Sequence, residues 1–216
     1  MRVRTALASV VDQNLLADKV LRSGARAAKT FTPEMITAYQ APPMDDSHTP
    51  NDHIERAKRL LAEAGYDVKR PLRITLRHVS GNEEKRVNLA VAGMWRQLGV
   101  QTQLQQGTMN AHFADLRQGE FDVAWAGWIG ESNAEHYLGL LVSDVGDVNY
   151  GAYHSAEFDQ LIQQARTHAD VQSRNNLLQQ AEAVALREAP VVPLYSLASR
   201  RLVNPRLGGW YDNPRD

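Results

Sequence analysis

Residues 71–106, PLRITLRHVSGNEEKRVNLAVAGMWRQLGVQTQLQQ, hold the pattern that decides the fold. Leu72, Ile74 and Leu76 alternate with Arg73, Thr75 and Arg77 over Pro71 to His78. A period of two with one wet face is the mark of a half-buried strand. The period then changes. Val87, Val91 and Met94 fall on one side of a helix, Ser80 and Glu83 have the spacing of a capping box ahead of it, and Leu98-Gly99 ends it. Val100 to Gln106 reads as a second strand. Strand, helix and strand in this compass form a βαβ unit, which makes the two strands parallel neighbours.

Outward from this unit, the same reading gives an α/β chain. Val3 to about Leu21 is helical, with Leu7, Val10 and Val11 on one face and Asp12 capping a second short helix. Residues 23–52 carry Pro33, Pro42, Pro43 and Pro50 among Thr, Ser and Asp, and predict a long irregular loop that is functional or wraps over something else. Asn51 or Asp52 caps a helix with Ile54, Ala57, Leu61 and Ala64 inward, stopped by Gly65. After the second strand comes a short helix burying Phe113 and Leu116, then a third strand, FDVAWAGW (Phe121–Trp128). Two further helices are capped by Ser155 and Asp170, the second with Leu177, Ala181, Val184 and Ala185 on its apolar face. APVVPLYSL is a last apolar strand, placed at an edge by Pro193, and RRLVNPRLGGW continues it into a Gly-Gly turn.

The totals narrow the function. The 216 residues are 43% hydrophobic and 23% charged, with a net charge of −1. That balance supplies no basic field for nucleic acid or anionic lipid. With no cysteine, disulfides, thiolate nucleophiles and Cys-type zinc sites are excluded. No stretch reaches the ~20 apolar residues of a membrane helix. The N-terminus is spaced as an amphipathic helix rather than a signal peptide. The chain opens on a helix with no strand before it and closes on a strand with no helix to cover it, as a piece of a larger fold would.

The third strand raises the functional question, because it ends in two tryptophans around a glycine, followed by a carboxylate. Several segments here resemble the extracellular solute-binding family 5, the oligopeptide- and dipeptide-binding components of ABC importers. They are VRTALASVVDQNLLADKVLRSG, Thr32-Pro33, RAKRLLAEAGY, GEFDVAWAGWIGESN and APVVPLYSLASRRLVNPRLGGW, in the family's order and across almost the whole chain. The resemblance implies a periplasmic-binding-protein-like (type II) lobe, incomplete here. Residues 1–192 would form most of the second ligand-binding lobe, and 193–216 the segment returning to the first lobe or hinge. It implies capture of an extended peptide between two lobes, an ABC permease in the membrane as partner, a periplasmic location, no catalysis and no cofactor. The first lobe would come from another chain or from dimerisation. A cytoplasmic location would follow if this chain were the full natural product.

Residue by residue, the resemblance places Glu131 where the family's carboxylate pairs with a ligand α-ammonium. Gly127 lets a ligand backbone approach, and Trp128 beside it offers a flat wall able to stack on a cation. Tyr195 matches a family tyrosine near the ligand. Asn133 is a ligand contact or, with better reason, the cap of the next helix. Besides Glu131, which is one methylene longer than the Asp common there and would shift the ammonium outward, three positions depart from the pattern. Trp125 stands where an Arg is common, Glu84 for a His, and Met109 for a Trp. Each change moves the site from anionic groups towards apolar or cationic ones, so a non-peptide solute such as a metal complex or oligosaccharide is an alternative. A truncated, binding-deficient remnant or interaction module is another. The plain structural reading of Trp128 and Glu131 is a surface indole and a solvated acid. Among pairs that could suggest an enzyme, His112 with Asp115 and Glu135 with His136 lack a third metal ligand, and His78 with Ser80 lacks a nucleophile-elbow context.

Overall fold

The computed structural model describes residues 1–36, 39–43, 49–198, 202–204 and 206–209. The βαβ unit is as the sequence predicts. Strand β2 (Arg73–Val79) pairs in parallel with β3 (Gln101–Gly107), Leu76 opposite Leu104, and helix α4 (Asn82–Arg96) connects them. The third strand, β4 (Val123–Ala124), pairs with β2 and not with β3, giving the order β3-β2-β4. The connection from β3 through α5 (Met109–Arg117) therefore crosses β2, and the chain reverses direction across the sheet at β2. Such a switch point is where open α/β sheets leave a crevice, beyond the carboxyl ends of the strands.

The apolar alternation of β2 feeds one core. Leu72, Ile74 and Leu76 pack with Val87, Val91, Met94 and Trp95 of α4 and with Ala57 and Leu61 of α3 (Pro50–Glu63). Helix α1 (Arg2–Ser9) joins them through Ala6 and Leu7, and the Trp95 indole N–H donates to the Leu7 carbonyl at 3.0 Å. The other face of β2 is not fully wet as predicted. Arg77 is half-buried because α5 lies over it and Asp115 forms an ion pair with its guanidinium. A second core joins α6 (Ala134–Leu138), α7 (Ala156–Thr167) and α8 (Val171–Glu188) around Leu138, Phe158, Ile162 and Leu178. Burial of each such side chain stabilises the fold by about 1.5–3 kcal/mol.

Several local expectations change. The N-terminal helical stretch divides at Asp12 as expected, but its second part is not a plain α-helix. After α1, Asp12 caps α2 (Gln13–Leu15) as predicted, and a π-type turn over Leu16–Leu21 follows. Thr49, not Asn51 or Asp52, caps α3. Its hydroxyl accepts from the Asp52 N–H, and the Asp52 carboxylate accepts from the Thr49 N–H. Ser80 does not cap α4; Gly81 holds that position, while the Ser80 hydroxyl donates to the Gly107 carbonyl and ties the ends of β2 and β3. In α5 the buried residue beside Leu116 is His112, and Phe113 is only half-buried. In α8, Leu178 takes the innermost place and Leu177 lies at its margin. Ser155 and Asp170 cap α7 and α8 as expected.

The irregular stretch after residue 23 contains β1 (Arg26–Ala27), which pairs antiparallel with β5 (Tyr195–Ser196) in a two-stranded sheet of its own. The stretch does wrap over another element. Phe31 and Tyr39 pack on the second core, and the Thr32 N–H donates to the buried Glu182 carboxylate of α8 at 2.7 Å. In the segment after residue 198, residues 199–201, 205 and 210–216 lie outside the described residues, while Gly208 and Gly209 are within them.

Candidate functional site

The third strand is shorter than its apolar run suggests. Ladder pairing stops at Ala124, and the next five residues run on as irregular backbone. Trp125 is the last residue tied to the sheet. Its N–H donates to the Arg77 carbonyl at 2.8 Å, and its carbonyl lies 2.7 Å from Nε2 of His112. A carbonyl only accepts, so Nε2 carries the proton. Burial lowers the affinity of the His112 ring for a second proton, and the nearby charges of Arg77 and His78 act in the same direction.

Past that clamp the chain is open. Ala126, Gly127, Trp128 and Ile129 are all exposed, Trp128 at 44% and Ile129 at 83%. Among the described residues, no helix covers the end of the strand. A Cβ built on Gly127 would meet only the Trp125 ring, at 3.5 Å, an ordinary contact, so the space above this glycine is free.

The structure brings the candidate residues together in two groups. In the first, the Trp125 indole N–H donates to the Tyr195 hydroxyl at 3.4 Å, joining β4 to β5. Burial raises the Tyr195 phenol above its ordinary value, and the negative charges of Glu84 and Glu83 at the start of α4 add to that shift. Glu84 lies folded back against Gly81, its Oε2 close to where a Cβ on that glycine would stand. Indole, phenol and carboxylate thus gather at the carboxyl ends of β2 and β4. In the second group, the Glu131 N–H donates to Nδ1 of His136 at 2.8 Å, and the Trp128 indole meets the His136 ring edge-on at 6.0 Å. Asn133 takes the capping role: its side-chain oxygen accepts from the Glu135 N–H at 2.9 Å. Met109, 56% exposed at the first turn of α5, lies in neither group.

Sequence reasoning set His112 and His136 aside as members of weak acid/base pairs, and the structure gives both a place at the site. The His-x-x-Asp of α5 does not lie on a wet face. His112 is buried under Trp125, and Asp115 pairs with Arg77. One signal for His136 was present. An Asn cap at 133 makes residue 136 the third of the helix, a position whose side chain reaches back to the N–H groups before the helix. Among the described residues, no group of three His, Asp or Glu could hold a metal ion. Two surface grooves, of about 410 Å³ between α7 and α8 and about 580 Å³ between α1 and α3, lie away from these residues. The site is an open surface rather than a closed pocket.

Comparison with known proteins bears on the family and the fold. The family model for bacterial extracellular solute-binding proteins, family 5, middle region, matches residues 1–148. The periplasmic murein peptide-binding protein MppA of Escherichia coli K12 is 31% identical over 218 residues, covering 100% of this chain and 41% of that protein. The probable deoxycholate-binding periplasmic protein YgiS of the same organism is 34% identical over 221 residues, with the same coverage. Among solved structures, Burkholderia pseudomallei OppA superimposes with a TM-score of 0.90 at 29% identity, over 97% of this chain and 42% of that one. Haemophilus influenzae OppA in complex with RPPGFSPFR superimposes with a TM-score of 0.87 at 27% identity, over 94% and 41%. This chain therefore spans about two fifths of the length of these relatives and has the α/β fold of part of a periplasmic-binding-protein lobe. It belongs to the bacterial extracellular solute-binding proteins, family 5.

Proposed function

We propose that this chain supplies one wall of the ligand site of a periplasmic substrate-binding component of an ABC-type peptide importer, and that it performs no catalysis. The observation that carries this reading is the uncovered run Ala126–Ile129 beyond the Trp125 clamp, followed by Glu131. An extended peptide could add there as a further strand through main-chain hydrogen bonds. Gly127 leaves room for its backbone, Trp128 gives it a flat wall, and the Glu131 carboxylate receives its α-ammonium. Trp125, Tyr195 and Glu84 line the floor, and Met109 with Asn133 stand at the margin.

Residues 1–192 then form most of the second lobe, and 193–216 return towards the first lobe or hinge. The pairing of β1 with β5, apart from the main sheet, supports a junction at that point. The second lobe matters energetically. An ion pair closed off from water costs about 3–5 kcal/mol to break, whereas an exposed one is worth at most ~1 kcal/mol. The partner is the membrane permease.

The test uses a chain with both lobes. Glu131→Gln should weaken binding of free-amine peptides far more than of their N-acetylated forms; equal weakening of both would remove the ammonium role from Glu131. The exposed apolar surface of Trp128, Ile129 and Met109 favours a second reading, a solute with a broad apolar face. Deoxycholate displacing a bound tripeptide in the same assay would support it.

A further inference from the structure

The indole of Trp125 runs along the open strand end. Its N–H donates to the Tyr195 hydroxyl at 3.4 Å, and the same edge of the ring reaches on to Gly127. A Cβ placed on Gly127 would stand 3.5 Å from Cη2 and 3.7 Å from Cζ2 of that ring, with every other indole atom beyond 4 Å. The gap over the glycine is therefore bounded by the edge of the indole and not by its face. Leaving out its chain neighbours Ala126 and Trp128, nothing else among the described residues comes within 4 Å of that point. Gly127 is exposed, and so is Ile129 two residues on.

The ring is held in this pose from three sides. The Trp125 N–H donates to the Arg77 carbonyl, its carbonyl accepts from His112, and Tyr195 accepts from the indole. The Arg77 guanidinium is engaged with Asp115. The gap thus has a fixed apolar edge on one side and bare glycine backbone below. The edge of an aromatic ring is its positive part and the face its negative part, so the partner that suits this edge is the face of a second ring. A saturated group of the same size buries the same area without that attraction. Glycine supplies the room, since any side chain at 127 would stand where the second ring must go.

We propose that the gap between Gly127 and the Trp125 edge is a subsite for an aromatic side chain of the ligand, with Trp125 as the specificity-determining residue. The subsite lies on the wall described under Proposed function and rests on that reading for its natural ligand. Its preference for a ring does not need the ammonium contact of Glu131.

The experiment exploits that independence. N-acetylphenylalanine amide, which has neither ammonium nor carboxylate, is titrated into the ¹⁵N-labelled 216-residue chain. The Gly127 amide and the Trp125 indole N–H should shift saturably. N-acetylcyclohexylalanine amide, of equal bulk but saturated, should bind about two- to tenfold more weakly, the share of one aromatic pair. Trp125→Leu should cut that preference to less than twofold. Gly127→Val, which fills the gap and leaves the indole in place, should weaken both amides at least about tenfold. Equal affinity for the two amides in the parent chain overturns the subsite, as do shifts centred away from Trp125 and Gly127, a preference that survives in W125L, or a G127V chain that binds as the parent does. In a chain with both lobes, one of the tripeptides Phe-Ala-Ala, Ala-Phe-Ala and Ala-Ala-Phe should bind about tenfold more tightly than trialanine. If all four bind alike, the subsite is overturned and the peptide reading stands. If the blocked amide binds at Gly127 and no tripeptide binds at all, the subsite stands and the peptide reading is what fails.

Discussion

The indole N–H of Trp125 and the hydroxyl of Tyr195 meet at 3.4 Å across 70 residues of sequence, so the end of the main sheet is fastened to the β1–β5 ribbon by side chains. Both residues are half-buried. Tyr195→Phe keeps the ring and removes the acceptor. A neutral hydrogen bond of this kind contributes about 0.5–1.5 kcal/mol. Urea unfolding of Y195F should show a loss in that range. A double-mutant cycle with Trp125→Phe should return a coupling of the same size, since each single change removes the same bond. No coupling would mean that the two rings are held independently by their packing.

Gly127 separates stability from binding. Its backbone does not have the positive φ that favours glycine, and an added Cβ meets the Trp125 ring at an ordinary distance. Gly127→Ala should therefore change stability by no more than about 0.5 kcal/mol. The same methyl group would stand where a ligand backbone is proposed to pass. In a chain with both lobes, G127A should bind tripeptide at least about tenfold more weakly, since one misplaced contact costs 1.4 kcal/mol or so. Unchanged calorimetric affinity would move the ligand away from this strand end.

Glu182 tests how the loop after Phe31 is held. It is fully buried on α8 and accepts from the Thr32 N–H at 2.7 Å and from the Tyr39 hydroxyl at 2.5 Å. Glu182→Ala leaves both donors without that partner and should cost about 3 kcal/mol. Glu182→Gln keeps an acceptor for Thr32 and should cost much less. Burial raises the Glu182 carboxyl above its ordinary value. An unfolded Glu loses its proton near about pH 4.3, and the folded one only above that. The stability this group contributes is therefore full below about pH 4.3 and is lost as the pH rises through the folded value. Urea midpoints should show E182Q gaining on the parent between pH 4 and pH 7.

What could be read from the sequence is what depends on near neighbours. Leu72, Ile74 and Leu76 announce a strand because their period is local, and Ser155 and Asp170 announce helix starts because a cap bonds three residues on. The resemblance supplied the family. What escaped was set by distant partners. Nothing beside Ala124 says that the ladder stops there, because its limit is the register against β2. The burial of His112 depends on the carbonyl of Trp125, thirteen residues away, and that of Glu182 on a loop 150 residues earlier. Thr49 was missed as a cap for a different reason. Asn51 and Asp52 are equally good capping types, and only the reciprocal bond between Thr49 and Asp52 decides among them.

His112 bears on the acid side of the stability curve, in the opposite sense to Glu182. Its ring is buried and holds a second proton less readily than a free histidine, because the fold removes it from water and sets Arg77 and His78 nearby. An unfolded histidine takes up that proton near about pH 6.5. As the pH falls through that point the unfolded chain gains a proton that the folded chain resists. The stability His112 contributes is thus full above about pH 6.5 and is lost as the pH falls through the folded value. His112→Gln places an amide donor near the position of Nε2, able to bond the Trp125 carbonyl, and cannot titrate. Between pH 7 and pH 5 the parent chain should therefore lose more stability than H112Q, with the other carboxylates and histidines common to both chains. Urea unfolding at half-unit pH steps checks this. Parallel curves would mean that the folded and unfolded rings bind the proton alike, and the Trp125 clamp would then have no part in the acid response.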